Sequence, residues 1–219
     1  MSNFSDFNER HFLLLLFKMT KDTIILSFDT TGRQDSIALK YSNTVDVRLL
    51  PQGGSGLQSA ILVPELQKLL QDHDLNFTDV TTLCTLTGPG SFTGIRIGLA
   101  TAQGLKLAKP ITIFAPTTLE VLHNLTGYTS VIDSLRGDFF VRHQGENQIL
   151  SLEDLKDLIG KNPIASTQSI DQLDTVVVTP PMAELLIQFY ERCPDKNAFP
   201  NLEPFYIRTP EFAKKKADL

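Results

Sequence analysis

Apolar positions along this chain fall into two kinds of run, and the alternation of the two sets the architecture. Thr23 to Phe28 is an almost unbroken apolar stretch that stops at Asp29-Thr30-Thr31-Gly32. Such a run, bounded by a turn, predicts a buried central strand. Ser36 to Lys40 and Thr44 to Leu50 are two further strand-like runs, and their short link predicts an antiparallel meander. Past the flexible Gly53-Gly54-Ser55-Gly56 the period changes. Leu62, Val63, Leu66, Leu69 and Leu70 share one face of a helix predicted over Ser59 to Gln71. Pro64 must kink that helix or lie in its first turn. A fourth strand is predicted over Val80 to Thr87, a long helix over Ser91 to Ala108, a fifth strand over Pro110 to Phe114 and a short helix over Pro116 to Leu125.

The resulting order is β-β-β-α-β-α-β-α. A second half begins with strands at Ser130 to Asp133 and Phe139 to His143. It continues with a helix over Ser151 to Ile159 capped by Gly160, a strand over Thr175 to Val178 and a helix over Met182 to Cys193. Each half opens on an apolar strand ending in Asp, Asp29 and Asp133. That pattern points to an α/β chain of two related lobes. The expected division is an N-terminal extension over 1–21, a first lobe over 22–116 and a smaller second lobe with a C-terminal tail over 117–219.

Composition narrows the picture. A chain of 219 residues has room for one large domain or two small ones. The net charge of −5 offers no broad basic field, so any RNA contact would rest mainly on a partner. Cys84 and Cys193 are the only cysteines, as expected in a reducing compartment, and Cys84 reads as a small core residue. The apolar run Phe12 to Phe17 is far shorter than the ~20 residues that a spanning helix needs. It reads as part of an extension, with a short amphipathic cap or a weak targeting segment as alternatives. The histidines His11, His73, His123 and His143 are scattered, and no H-x-x-x-H or C-x-x-C spacing suggests a metal site. A G-x-S-x-G nucleophile elbow is also missing.

The chemistry concentrates in Gly88-Pro89-Gly90-Ser91-Phe92-Thr93-Gly94-Ile95-Arg96-Ile97-Gly98. Glycines and proline make the turn, and Ser91 and Thr93 can cap the helix that follows. Arg96 sits in the first turns, where the helix dipole disfavours a cation, so an acidic or phosphate partner is expected. Phe92, Ile95, Leu99 and Ala102 form one face of the helix, while Gly94, Gly98, Thr101 and Leu105 form another. A helix apolar nearly all round is buried on both sides, either as an internal core helix or against another chain. The turn also offers backbone N–H groups to a phosphate, although the Gly-Lys-Ser/Thr ending of a P-loop is missing.

Asp29-Thr30-Thr31-Gly32 after a buried strand resembles the first phosphate turn of the actin/Hsp70/sugar-kinase (ASKHA, RNase H-like) superfamily. Asp133-Ser134-Leu135-Arg136-Gly137 would be a degenerate second turn, and a Gly-Gly pair for the adenine side is missing from the second half. The wider combination resembles the TsaB (YeaZ) family: Ile25 to Thr31, Ser36 to Leu39, the glycine helix through Ala100-Thr101-Ala102-Gln103-Gly104-Leu105, Val131 to Phe140, and the tail Pro204-Phe205-Tyr206-Ile207-Arg208. It departs from the family's commoner patterns at Gln58-Ser59-Ala60 and at Asp133-Ser134-Leu135-Arg136.

That resemblance implies a two-lobed actin-like fold and a cytoplasmic, non-catalytic scaffold in bacterial synthesis of N6-threonylcarbamoyladenosine in tRNA. It implies a heterodimer with the catalytic subunit TsaD, joined by the ATPase TsaE, with tRNA engaged through the complex and no membrane. A homodimer is expected when the partner is absent. No intrinsic cofactor or metal is implied, only ATP or ADP at the interface with TsaD. The implied interface comprises Ser59, Leu62, Leu66, Phe92, Gly94, Ile95, Arg96, Gly98, Leu99 and Ala102, with Gly94 and Gly98 carrying close packing. Asp29, Thr30, Thr31, Gly90, Ser91 and Thr93 would form a vestigial phosphate site. The rival reading is an actin-like ATPase or phosphotransferase using Asp29 and Thr31.

Overall fold

A computed structural model of the chain describes residues 23–52 and 56–207. The expectations for 1–21, for the loop at 53–55 and for Arg208 lie outside the described residues. Strands β1 (Ile25–Asp29), β2 (Ser36–Tyr41) and β3 (Thr44–Leu49) form the antiparallel meander. Strands β4 (Thr82–Cys84) and β5 (Thr112–Phe114) add in parallel on the far side of β1, giving the order β3-β2-β1-β4-β5. Five consecutive buried residues make β1 the centre of this sheet.

The second sheet repeats the plan. Strands β6 (Thr129–Asp133), β7 (Phe139–His143) and β8 (Glu146–Leu150) are antiparallel, and β9 (Ile164–Ser166) and β10 (Thr175–Val177) run parallel beyond β6. Its order is β10-β9-β6-β7-β8, the topology of the first sheet drawn again. Helix for helix the copy is poorer. The first half places α1 (Leu57–Gln71) after β3 and α2 (Phe92–Ala108) after β4. The second places α4 (Leu152–Ile159) after β8, and residues 167–174 between β9 and β10 form no helix.

Helices α1 and α2 cover one face of the first sheet. Leu62, Leu66, Leu69 and Leu70 of α1 and Ile95, Leu99 and Ala102 of α2 meet Leu26, Phe28, Ile37 and Leu39 in one core. Full burial of each such side chain stabilises by about 1.5–3 kcal/mol, enough to offset the ~3 kcal/mol cost of Pro64 inside α1. Val63, expected on the buried face, points to solvent at 40% exposure, because the four buried leucines already define an inward arc that excludes it.

The opposite face carries α5 (Met182–Arg192), with α3 (Thr118–Thr126) packed against both α5 and the second sheet. Their shared core joins Ile25, Ala38, Cys84 and Phe114 to Val121, Leu122, Leu186 and Phe189, which confirms Cys84 as a core residue. The last helix, inside the range assigned to the second lobe, thus packs on the first sheet. Pro181 at its N-terminus supplies no side-chain cap, and Ser36 Oγ of β2 accepts the Ala183 N–H at 3.1 Å instead. Helix α3 has a complete capping box between Thr117 and Glu120, and Gly160 closes α4 as expected.

Candidate functional site

The turn after β1 and the start of α2 are locked together. Thr31 donates its N–H and its hydroxyl to Asp29 Oδ1, each at 2.7 Å. Thr30 Oγ1 donates to the Gly94 carbonyl at 2.7 Å, and the Ser91 N–H donates to the Thr31 carbonyl at 2.8 Å. Ser91 Oγ caps α2 by accepting the Gly94 N–H at 3.1 Å, whereas Thr93 faces solvent and makes no cap. The glycines permit this approach. A Cβ on Gly90 would overlap the Thr31 carbonyl, one on Gly94 the Thr30 carbonyl, and one on Gly98 would stand 2.7 Å from Thr30 Oγ1.

These contacts correct the expected interface. Gly94 and Gly98 serve close packing, but against the chain's own β1 turn. Leu62, Leu66, Ile95, Leu99 and Ala102 are within 2% of full burial in the core. Of the ten expected interface residues, Ser59, Phe92 and Arg96 stand at the surface. Arg96 also has a partner that its local sequence does not reveal. Its guanidinium lies 3.9 Å over the Phe92 ring, and its Nε donates to Tyr206 Oη at 3.3 Å. Tyr206 in turn stacks on Phe92, with ring centroids 5.6 Å apart. The segment that brings Tyr206 there is tied down by Gln103 Nε2 to the Leu202 carbonyl and by the Phe205 N–H to the Thr87 carbonyl. Aromatic faces take the place of the anion that the helix dipole argument demanded.

The surface that α1 and α2 do present is a stripe of which the expected interface included only Phe92 and Arg96. On α1, Ala60, Val63 and Gln67 face outward, and on α2, Phe92, Thr93, Arg96, Ala100, Gln103, Gly104 and Leu107 do. Phe92 is 42% and Leu107 89% exposed, and a Cβ on Gly104 would meet nothing within 4 Å. The positions recur every three or four residues, so they form a continuous outer face. The small residues Ala60, Ala100 and Gly104 were the available signal, since they leave room for another helix to come close.

Asp29 is held at the base of the turn, and burial pushes its carboxyl up to about 6 against the pull of the Thr31 bonds. Asp35 nearby is also raised by burial, while Gln58 Nε2 reaches both its oxygens at 3.0 and 2.8 Å. Neither arrangement is an open phosphate cradle. The Thr30 hydroxyl and Thr31 carbonyl are engaged within the chain, and the space that glycines open at the start of α2 is filled by Thr30 and Thr31 themselves. The second turn is likewise self-contained: Asp133 Oδ1 accepts the Leu135 N–H at 2.7 Å, and the Ser134 hydroxyl bonds Asp138. Among the described residues no group of three or more His, Cys, Asp and Glu is arranged to hold a metal ion. His73 bonds Asp46, His123 the Tyr128 carbonyl and His143 the Thr129 hydroxyl. No helix among the described residues is long and apolar enough to cross a membrane.

Two sheets of one topology, with helices on their outer faces and between them, define a two-lobed actin-like fold. YeaZ from Pseudomonas aeruginosa has this fold, with a TM-score of 0.64 at 21% identity over 84% of this chain and 99% of that one. The sequence model of the family described as TsaD, tRNA N6-adenosine threonylcarbamoyltransferase, matches residues 49–179, and the chain belongs to that family. Within it the chain resembles the TsaB/YeaZ members. It is 30% identical over 125 residues to the tRNA threonylcarbamoyladenosine biosynthesis protein TsaB of Escherichia coli (strain K12), covering 53% of this chain and 52% of that protein. TsaB of Bacillus subtilis (strain 168) is 31% identical over 132 residues, covering 58% and 57%. The chain thus spans about half the length of the curated relatives it matches.

Proposed function

We propose that this chain takes part in synthesis of threonylcarbamoyladenosine in tRNA as a non-catalytic subunit docked on a TsaD-type catalytic partner. The observation that carries this reading is the outer stripe of α1 and α2. It is apolar at Val63, Phe92 and Leu107, small at Ala60, Ala100 and Gly104, and polar at Gln67, Thr93, Arg96 and Gln103. A pair of helices from another polypeptide would bury it by ridge-into-groove packing. The self-engaged β1 turn favours a supporting role over ATP hydrolysis by Asp29 and Thr31. The TsaE ATPase and tRNA would be engaged through the complex, with ATP or ADP at the interface between the two actin-like subunits. In the partner's absence the same stripe would support a homodimer.

The test combines the purified chain with TsaD, TsaE, threonylcarbamoyl-adenylate, ATP and unmodified tRNA, and measures the modified nucleoside. Ala100→Arg sets a charge and bulk on the stripe without touching the core. It should weaken association with TsaD by at least ~100-fold, about 2.7 kcal/mol, while the unfolding midpoint stays unchanged. Full modification and an unchanged Kd in that variant would refute the docking face.

A further inference from the structure

On the face of the first sheet opposite α1 and α2, β3 is only partly covered. Ile25, Lys40 and Val45 stand in register across β1, β2 and β3, as do Asp29, Ser36 and Leu49. Helix α5 lies over the β1–β2 part of this face, fixed by Ser36 at one end and by the Lys40–Glu191 ion pair, 2.6 Å, at the other. Over β3 its cover reaches Val47 and leaves the ends of the strand exposed. Val47 reaches the core under α5, but Val45 is 41% and Leu49 59% exposed. Three apolar side chains therefore make a stripe roughly 13 Å long on a sheet face that otherwise carries a helix.

The described chain begins at Thr23, at the end of β1 that lies in register with Val45. Two strand spacings separate Ile25 from Val45, about 10 Å. Residues 18–22, at most ~3.4 Å each, reach about 17 Å. The next six residues inward from that tether are Phe12-Leu13-Leu14-Leu15-Leu16-Phe17, the longest all-apolar run in the chain. Leaving them in water forgoes about 1.5–3 kcal/mol for each side chain that could be buried.

We propose that Phe12 to Phe17 lies along Val45, Val47 and Leu49 beside α5, as an intramolecular cover of the β3 face. The partner is this chain's own N-terminal segment, and the surface is distinct from the α1–α2 stripe and independent of it. The segment would cover the apolar positions that α5 leaves bare and shield an edge strand from pairing with other chains.

The test is cysteine labelling of the full chain with a maleimide, since Cys84 and Cys193 are both buried. Leu49→Cys is compared with Leu49→Cys carrying Leu14→Asp and Leu15→Asp. The intact run should slow labelling at position 49 by at least ~10-fold, at every protein concentration. Leu135→Cys, at a turn where the native side chain is 71% exposed, should label at one rate with either N-terminal sequence. Equal rates at position 49 with and without the aspartates would overturn the proposal. So would a slowing that grows with protein concentration, which would assign the cover to a second copy.

Discussion

Substituting Gly98 by Ala tests the central packing claim at the scale of one methyl group. The added Cβ would stand 2.7 Å from Thr30 Oγ1, 3.5 Å from Thr85 Oγ1 and 3.6 Å from Phe28 Cε2. Only the first of these is too close, and Thr30 cannot simply swing aside, because its hydroxyl donates to the Gly94 carbonyl at 2.7 Å. Overpacking costs about 1–3 kcal/mol, and loss of that buried hydrogen bond about 1–3 kcal/mol more. Alanine returns about 1 kcal/mol of helix propensity. The net expectation is a loss of roughly 1–5 kcal/mol in a urea unfolding experiment. The double-mutant cycle with Thr30→Ala isolates the cause. Without the hydroxyl the new methyl has room, so Gly98→Ala in that background should be neutral or stabilising by about 1 kcal/mol. Gly104→Ala, on the same helix but facing open space, should stabilise by about 1 kcal/mol in the native background. If Gly98→Ala stabilises as Gly104→Ala does, the motif glycines do not face the β1 turn and the reasoning fails.

Asp29 makes stability depend on pH. Below its ordinary value of 3.8 both folded and unfolded chains hold the proton, and between 3.8 and about 6 only the folded chain does. Stability therefore falls as pH rises through that window and levels off above it, by up to about 3 kcal/mol. The side-chain amide oxygen of an asparagine can still accept both Thr31 bonds, so Asp29→Asn should remove this part of the slope and be the more stable protein at pH 7.5. A slope identical to that of the native chain in thermal melts from pH 4 to 7 would show that the buried carboxyl is not its source. Ser36→Ala removes the long-range cap of α5 and should cost about 0.5–2 kcal/mol by chemical denaturation. A change below the error of that measurement would show that the Ala183 N–H is satisfied otherwise.

Much of this fold could be read from local pattern because β1, β2 and the glycine turn have strong local signals: continuous apolar runs, a tight turn and a helix cap. Strands β8 and β9 had none. Glu146-Asn147-Gln148-Ile149-Leu150 mixes polarities, and Ile164–Ser166 is three residues long, held by its neighbours in the sheet. Helical periodicity announced α5 but not its destination, because an amphipathic face does not say which sheet it will cover. The site was misread for a related reason. A helical wheel gives the angle of Gly94 and Gly98 but not the identity of what lies opposite. Here the opposite surface is Thr30, more than sixty positions earlier. The partner of Arg96, Tyr206, is separated from it by 110 positions.

The motif glycines and the proposed docking surface are consequently different residues of one helix, and they answer to different demands. Gly90, Gly94 and Gly98 are fixed by atoms of the β1 turn, where a single Cβ collides. Ala100, Gly104 and Leu107 are limited only by what comes to lie on them. A substitution at the glycines would abolish complex formation by disturbing the fold, and a pull-down alone would record it as a binding defect. Only the outer stripe separates the two, because its variants leave the turn, the core and the Asp29 carboxyl untouched. Gly98→Leu is therefore expected to lose partner binding together with its cooperative unfolding transition. A variant that kept a native-like transition while losing the partner would return the glycine face to the interface.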